Sequence, residues 1–122
     1  MDDTNFTGGK PTQKADAAFY DGHMADSSGT VATGGTAQTV LPQALTENLR
    51  YLLIVNQSIG VLYVDFDQTA TAASIPLKAC GVAGDGSGGA LEYGPGGGGF
   101  IPQGPMSVLG ATTGQAFTVK TG

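Results

Sequence analysis

The chain has 122 residues, a length that predicts one domain with a modest hydrophobic core. Only 12% of the residues are charged, and 21 glycines and six prolines favour loops and extended chain over helices. The net charge is −5 and Lys and Arg form no basic patch, so we expect no direct binding to nucleic acid. No apolar run near the start is long enough for a signal peptide or a membrane span, which predicts synthesis in the cytoplasm and no membrane contact.

Residues 1–28 are predicted to form an extended N-terminal arm. The aromatic side chains Phe6 and Tyr20 lie far apart in a polar context, with no sustained hydrophobic period. Ordering the backbone costs roughly 1–2 kcal/mol per residue, which so little apolar surface cannot offset. We therefore expect few contacts between the arm and its own domain, and we predict that Phe6 and Tyr20 bind a partner.

Residues 29–122 are predicted to form the β domain, which begins with two short strands at 30–32 and 37–41. Pro42 should end the second strand, because proline has no N–H for a sheet ladder. The next residues, 43–48, can form at most a turn or two of helix.

The strongest apolar segment of the chain is RYLLIVNQSIGVLYVDF. Within it, residues 51–55 form a short apolar run typical of a strand, and residues 62–66 alternate as a strand with one buried face. We expect Leu53 and Phe66 to be buried in the core. A four-residue connection closed by a glycine predicts that the two strands pair as a hairpin.

Residues 75–79 have the features of an edge strand. Pro76 lacks the N–H that a central ladder needs, and Lys78 discourages edge-to-edge pairing. Ten of the nineteen residues in 81–99 are glycine, which predicts a long loop with a possible short strand at 91–93.

Residues 106–109 and 115–120 are predicted to form a final hairpin, in which Phe117 and Val119 face the same side. About seven or eight short strands are then separated by turns. This pattern predicts an all-β fold, a small antiparallel β-sandwich that is jelly-roll-like or barrel-like.

Residues 84–89 match the pattern G-x-G-x-x-G. No helix pattern follows, so a phosphate would lack the helix N-terminus that normally binds it. Asp85 and Ser87 are similar to the nucleophile motif of chymotrypsin-like proteases, but His23, the only possible general base, lies in the arm. We interpret the stretch as a loop, and we expect no catalytic residue, no cofactor and no enzymatic activity.

Two groups of side chains are candidate metal ligands: Asp65 with Asp67, and Asp21 with His23 and Asp26. Neither has the ligand spacing or the turn glycine of a calcium-binding loop. We interpret them as solvated groups and predict no metal site. The single cysteine is predicted to be a small buried hydrophobe.

Five segments carry a resemblance to a known class of proteins: RYLLIVN (50–56), LYVDF (62–66), SIPL (74–77), FIPQGPMSV (100–108) and GATTGQAFT (110–118). Their succession of hydrophobic strands and glycine turns, within residues 49–120, resembles small structural proteins of tailed bacteriophages and prophages.

The resemblance implies a β-rich virion component with no catalytic residues. The expected role is a capsid decoration or cement protein that binds the outside of the shell and staples neighbouring major capsid subunits. A homotrimer is expected, because local threefold positions are common docking sites on icosahedral shells. The alternatives are a tail-, collar- or fibre-associated virion protein and, from a different class, a glycan-binding module or enzyme on a jelly-roll-like sandwich.

Overall fold

The structure, a computed structural model, describes residues 23–94 and 100–122. These residues contain nine strands and one short helix, in the order β1 (Ala25–Asp26), β2 (Gly29–Thr30), β3 (Gln38–Leu41), α1 (Gln43–Thr46), β4 (Leu52–Asn56), β5 (Leu62–Phe66), β6 (Ile75–Leu77), β7 (Ala90–Tyr93), β8 (Met106–Gly110) and β9 (Ala116–Thr121).

The strands form two antiparallel sheets. In sheet 1 the order is β1-β9-β4-β7, and β2 also pairs with β9; in sheet 2 the order is β3-β8-β5-β6. The predicted all-β antiparallel sandwich is confirmed. Within the described part of the chain the sheets do not close on each other, so the barrel-like alternative is not adopted.

The core lies between the inward faces of the two sheets. Along β4 and β9 every second side chain is buried, as a strand with one inward face requires, and along β5 Leu62 and Val64 are buried. Phe117 and Val119 face inward together, as predicted. The buried cluster consists of Val31, Leu41, Leu52, Ile54, Leu62, Val64, Leu77, Met106, Val108, Phe117 and Val119.

The prediction for Leu53 is wrong. Leu52 and Ile54 are fully buried, whereas Leu53 is only half-buried on the opposite face of β4. A continuous apolar run does not reveal which alternate set points inward, because both sets are apolar. Phe66 is partly buried, packs against the core, and meets the ring of Tyr93 edge-on at a centroid distance of 5.7 Å.

Both predicted hairpins are wrong. β4 pairs with β7 and β9 in sheet 1, whereas β5 pairs with β6 and β8 in sheet 2. β8 and β9 likewise lie in different sheets. Each connection therefore crosses from one sheet to the other. As a result, the inward side chains of successive strands face each other across the core. Alternation fixes the buried face of a strand but not its pairing partner.

Several local predictions are confirmed. β3 ends at Leu41 before Pro42, and a single helical turn follows. Among the described strands, β6 pairs with β5 alone and is an edge strand, and β7 covers the short strand expected within the glycine-rich segment.

The described end of the predicted arm belongs to the domain. Ala25 and Asp26 form β1 and pair with Thr121 and Lys120 of β9, so residues 25–28 lie along sheet 1 rather than apart from it. The Asp26 carboxylate also lies 3.4 Å from the Lys120 ammonium group. Phe6 and Tyr20, the predicted partner-binding residues, are outside the described residues.

Candidate functional site

Three loops meet at one end of the sandwich, which we call the arch end. They are residues 57–61 between β4 and β5, residues 78–89 between β6 and β7, and residues 111–115 between β8 and β9. The first of these loops carries the chain from sheet 1 to sheet 2. Buried side chains hold the three loops together.

Asn56 is the fully buried residue at the centre of the arch end. Its side chain points inward from β4, like that of Ile54 two residues earlier. Its Nδ2 donates to the carbonyl oxygen of Gly60 at 2.8 Å and lies 3.1 Å from the carbonyl oxygens of both Leu77 and Lys78. A buried carbonyl without a donor is costly, so this one amide satisfies the backbone of two loops.

Ser58 and Gln115 extend the network to the third loop. The Ser58 amide and hydroxyl donate to Asn56 Oδ1 at 3.0 and 2.8 Å. Gln115 Nε2 donates to the Ser58 hydroxyl at 3.2 Å and to the carbonyl oxygen of Val61 at 3.1 Å, and its Oε1 accepts from the Thr112 amide at 2.8 Å. Because both side chains are buried, these bonds are shielded from water and fix the loops relative to each other.

The glycine-rich loop is also attached to the arch. The amide of Cys80 donates to the carbonyl oxygen of Ser58 at 2.7 Å, and the Gly84 amide donates to that of Gln57 at 2.9 Å. Cys80 is buried, as predicted, with its thiol 3.3 Å from the Asn56 carbonyl oxygen. A Cβ on Gly88 would lie only 1.8 Å from that same oxygen, so glycine is required there for close approach of the backbones.

Asp85 and Ser87 stabilise a turn within this loop. The hydroxyl and amide of Ser87 donate to Asp85 Oδ1 at 2.6 and 2.8 Å, and the Val82 amide donates to Oδ2 at 2.9 Å. The hydrogen bond from the Ser87 hydroxyl is the main reason why the pKa of Asp85 falls from 3.8 to about 2. The same hydroxyl accepts from the Gly81 amide, so both residues have a structural role here.

The arch end exposes apolar side chains on these fixed loops. Ile59 is 69% exposed and Val82 is 68% exposed, and Val61, on the same loop as Ile59, is 39% exposed. A cleft of about 440 Å³ opens between the loops and is lined by Gln57, Ser58, Ile59, Gly60, Ala83, Thr112, Thr113, Gly114, Gln115 and Ala116. We call this cleft with Ile59, Val61 and Val82 the arch surface. Apolar groups held in water on a fixed scaffold are typical of a protein-binding surface.

Of the side chains considered as metal ligands, Asp65 and Asp26 accept hydrogen bonds within the domain, and Asp21 lies outside the described residues. Asp65 Oδ2 accepts from the Ser74 hydroxyl at 2.8 Å, and Asp67 follows β5 with a positive φ of 62°. Asp26 accepts from the Ser28 amide, and hydrogen bonding from Ser28 lowers its pKa. Across residues 23–94 and 100–122, no three such ligands come together in a possible metal site.

The polar network of Asn56, Ser58 and Gln115 was not predicted from the sequence. A signal was present, because every second side chain of a strand faces the same way. If Leu52 and Ile54 point inward, Asn56 also points inward, which places a polar residue at a core position. Gln115 offered no comparable signal, since the partners of its buried amide depend on how two separated loops meet.

Comparisons with protein-family models, with curated proteins and with solved structures give no match to this chain. In the described part of the chain no helix has the length and apolar character needed to cross a bilayer.

Proposed function

We propose that this protein is a structural component of a tailed bacteriophage virion, a decoration or cement protein that binds the outside of the capsid and links neighbouring major capsid subunits. The sequence resemblance over residues 49–120 motivates the class of protein. The arch surface is the observation that supports a binding role, and we propose it as the contact with the shell.

The arch surface is suited to docking because its loops are already held in place and do not have to become ordered on binding. Asn56, Ser58 and Gln115 tie its loops to the core, so little conformational entropy is lost when a partner covers them. Ile59 and Val82 offer apolar area that a partner removes from water, worth about 1.5–3 kcal/mol for each side chain that becomes fully buried. The cleft between the loops can receive an apolar side chain of the partner.

Linking several capsid subunits requires more than one binding surface. A homo-oligomer, a trimer in our proposal, would present one arch surface per copy, and binding of one copy raises the effective concentration of the others at the shell. The net charge of −5 keeps the free protein soluble.

The proposal is tested by binding to purified shells of the phage that encodes the protein. The double variant Ile59→Asp with Val82→Asp places charges on the arch surface, and Leu45→Asp is the matched control because Leu45 is also exposed, at 52%, but lies on α1. Loss of two buried apolar side chains corresponds to roughly 100-fold weaker binding or more. We expect this loss for the double variant and none for the control.

Two results would overturn the proposal. Equal binding of all three proteins would remove the arch surface from the contact. Failure of the unmodified protein to bind shells, with binding to purified tails instead, would assign the protein to the tail-associated class.

A further inference from the structure

A second cleft lies on sheet 2 and shares no lining residue with the cleft at the arch end. Its volume is about 280 Å³, and it opens between β3 and the loop of residues 67–74 that follows β5. We call it the sheet 2 cleft. Its size is at the small end of the range for ligand sites, which favours a small molecule over a folded partner. It is lined by Ala37, Gln38, Thr39, Asp67, Gln68, Thr69, Pro105 and Ser107.

Two hydroxyl side chains of this lining are brought together by the register of the sheet. Met106 and Val108 of β8 are buried in the core, so Ser107 between them points to the outer face of sheet 2. Thr39 of β3 is its cross-strand partner, which places the two side chains on the same face with their Cβ atoms about 5 Å apart. The cleft therefore rests on two paired strands rather than on loops alone.

The Ser107 hydroxyl has a hydrogen that no described residue accepts. Ser107 is only 7% exposed, and its Oγ accepts a hydrogen bond from the Ala70 amide at 3.0 Å. A serine hydroxyl can also donate one hydrogen bond, and no acceptor for it is present among the described residues. Because buried polar groups are normally paired, this hydroxyl favours a ligand with an acceptor atom at the base of the cleft.

Asp67 adds a carboxylate to the lining. Its backbone has a left-handed φ of 62°, and its amide donates to the carbonyl oxygen of Pro105 at 2.9 Å. The carboxylate lies against Gly104, where an added side chain would overlap it, so this glycine leaves room for the carboxylate. Among the described residues no group donates to the Asp67 side chain. Its two oxygens can therefore accept hydrogen bonds from two groups of a ligand.

The donors and acceptors of the cleft indicate the class of ligand. No Lys, Arg or His is found among the lining residues, so a phosphate or another anion would be repelled by Asp67 without a compensating cation. An ammonium group would pair with Asp67 but has no acceptor for the Ser107 hydroxyl. Neighbouring hydroxyl groups on one ligand can donate to Asp67 and accept from Ser107. A saccharide carries such groups.

We infer that the sheet 2 cleft binds a saccharide, with two neighbouring hydroxyls donating to the Asp67 carboxylate and a third oxygen accepting from the Ser107 hydroxyl. The hydroxyls of Thr39 and Thr69, in the same lining, can either donate or accept. Because the cleft is small and its groups are largely in contact with water, we expect a dissociation constant in the millimolar range. The inference does not depend on the proposed role at the capsid.

The test is titration of the full chain with D-glucose, D-galactose, D-mannose and N-acetyl-D-glucosamine, followed in amide proton–nitrogen correlation spectra. Methylammonium chloride is titrated in parallel as a probe for a cationic ligand. Asp67→Asn removes the charged acceptor, and asparagine tolerates a left-handed backbone. Its control is Glu47→Gln, which removes a carboxylate from an exposed residue outside the cleft. Thr39→Val removes one lining hydroxyl but keeps a β-branched side chain, and Thr33→Val, outside the cleft, is its control.

We expect at least one of the four saccharides to shift the amide signals of Thr39, Ser107 and residues 67–70 in a saturable manner. The dissociation constant should be about tenfold or more higher for Asp67→Asn and higher by a smaller factor for Thr39→Val, with both controls like the unmodified chain. Three results would each overturn the inference: no saccharide of the set shifts these signals, binding is unaffected by Asp67→Asn, or the shifts lie at the arch end. Shifts at the cleft with methylammonium alone would assign it to a cationic ligand instead.

Discussion

Asn56→Ala should destabilise the domain strongly, because this one amide holds two loops at the arch end. Its Nδ2 faces three backbone carbonyls and its Oδ1 accepts two hydrogen bonds from Ser58. Each hydrogen bond is worth about 1 kcal/mol net, and buried groups left without a partner cost more. We expect a loss of about 3–5 kcal/mol, a large part of the stability of a small domain.

Urea unfolding of the full chain measures this loss. Gln57→Ala is the control, since Gln57 is only half-buried and its side chain makes one bond to the Thr118 hydroxyl at 3.1 Å, so its loss should cost about 1 kcal/mol or less. If the free energies of unfolding of the two variants differ by less than about 0.5 kcal/mol, the network does not hold the arch end and the arch surface is not fixed by it.

Two further predictions concern the core and the glycine-rich loop. Ile54→Ala should cost about 2–5 kcal/mol in urea unfolding, whereas Leu53→Ala on the other face should cost under about 1.5 kcal/mol; similar losses would contradict the assigned phase of β4. Folding lowers the pKa of Asp85 from 3.8 to about 2, so between these pH values the unfolded chain binds more protons than the folded chain. The contribution of Asp85 to the stability of the domain is therefore present above about pH 4 and is lost as the pH falls towards 2. In acid titrations followed by circular dichroism, Asp85→Ala should lack this part of the pH dependence, and an unchanged profile would refute it.

The sequence was informative where side-chain alternation is unambiguous. Along 62–66 and 117–120 outward residues with a polar group alternate with apolar residues, and the inward faces follow that pattern. At 51–55 both faces are apolar, so the pattern could not decide between Leu53 and its neighbours Leu52 and Ile54. Turn signals predicted where strands end but not whether the chain returns in the same sheet.

The candidate site could not be predicted because it depends on tertiary contacts. Ile59 and Val82 are exposed on loops that cross between the two sheets. The predicted hairpin would instead have placed residue 59 in a turn between two paired strands of one sheet. Likewise, Gly88 was predicted only as part of a permissive loop, although the Asn56 carbonyl leaves no room for a side chain there.

Electron cryo-microscopy of the virion tests the central claim most directly. We expect density for the sandwich on the outer surface of the capsid, with the arch surface turned towards the shell and Ile59 and Val82 in contact with major capsid subunits. Density at the tail or collar, or a sandwich on the shell with the arch surface facing solvent, would contradict it.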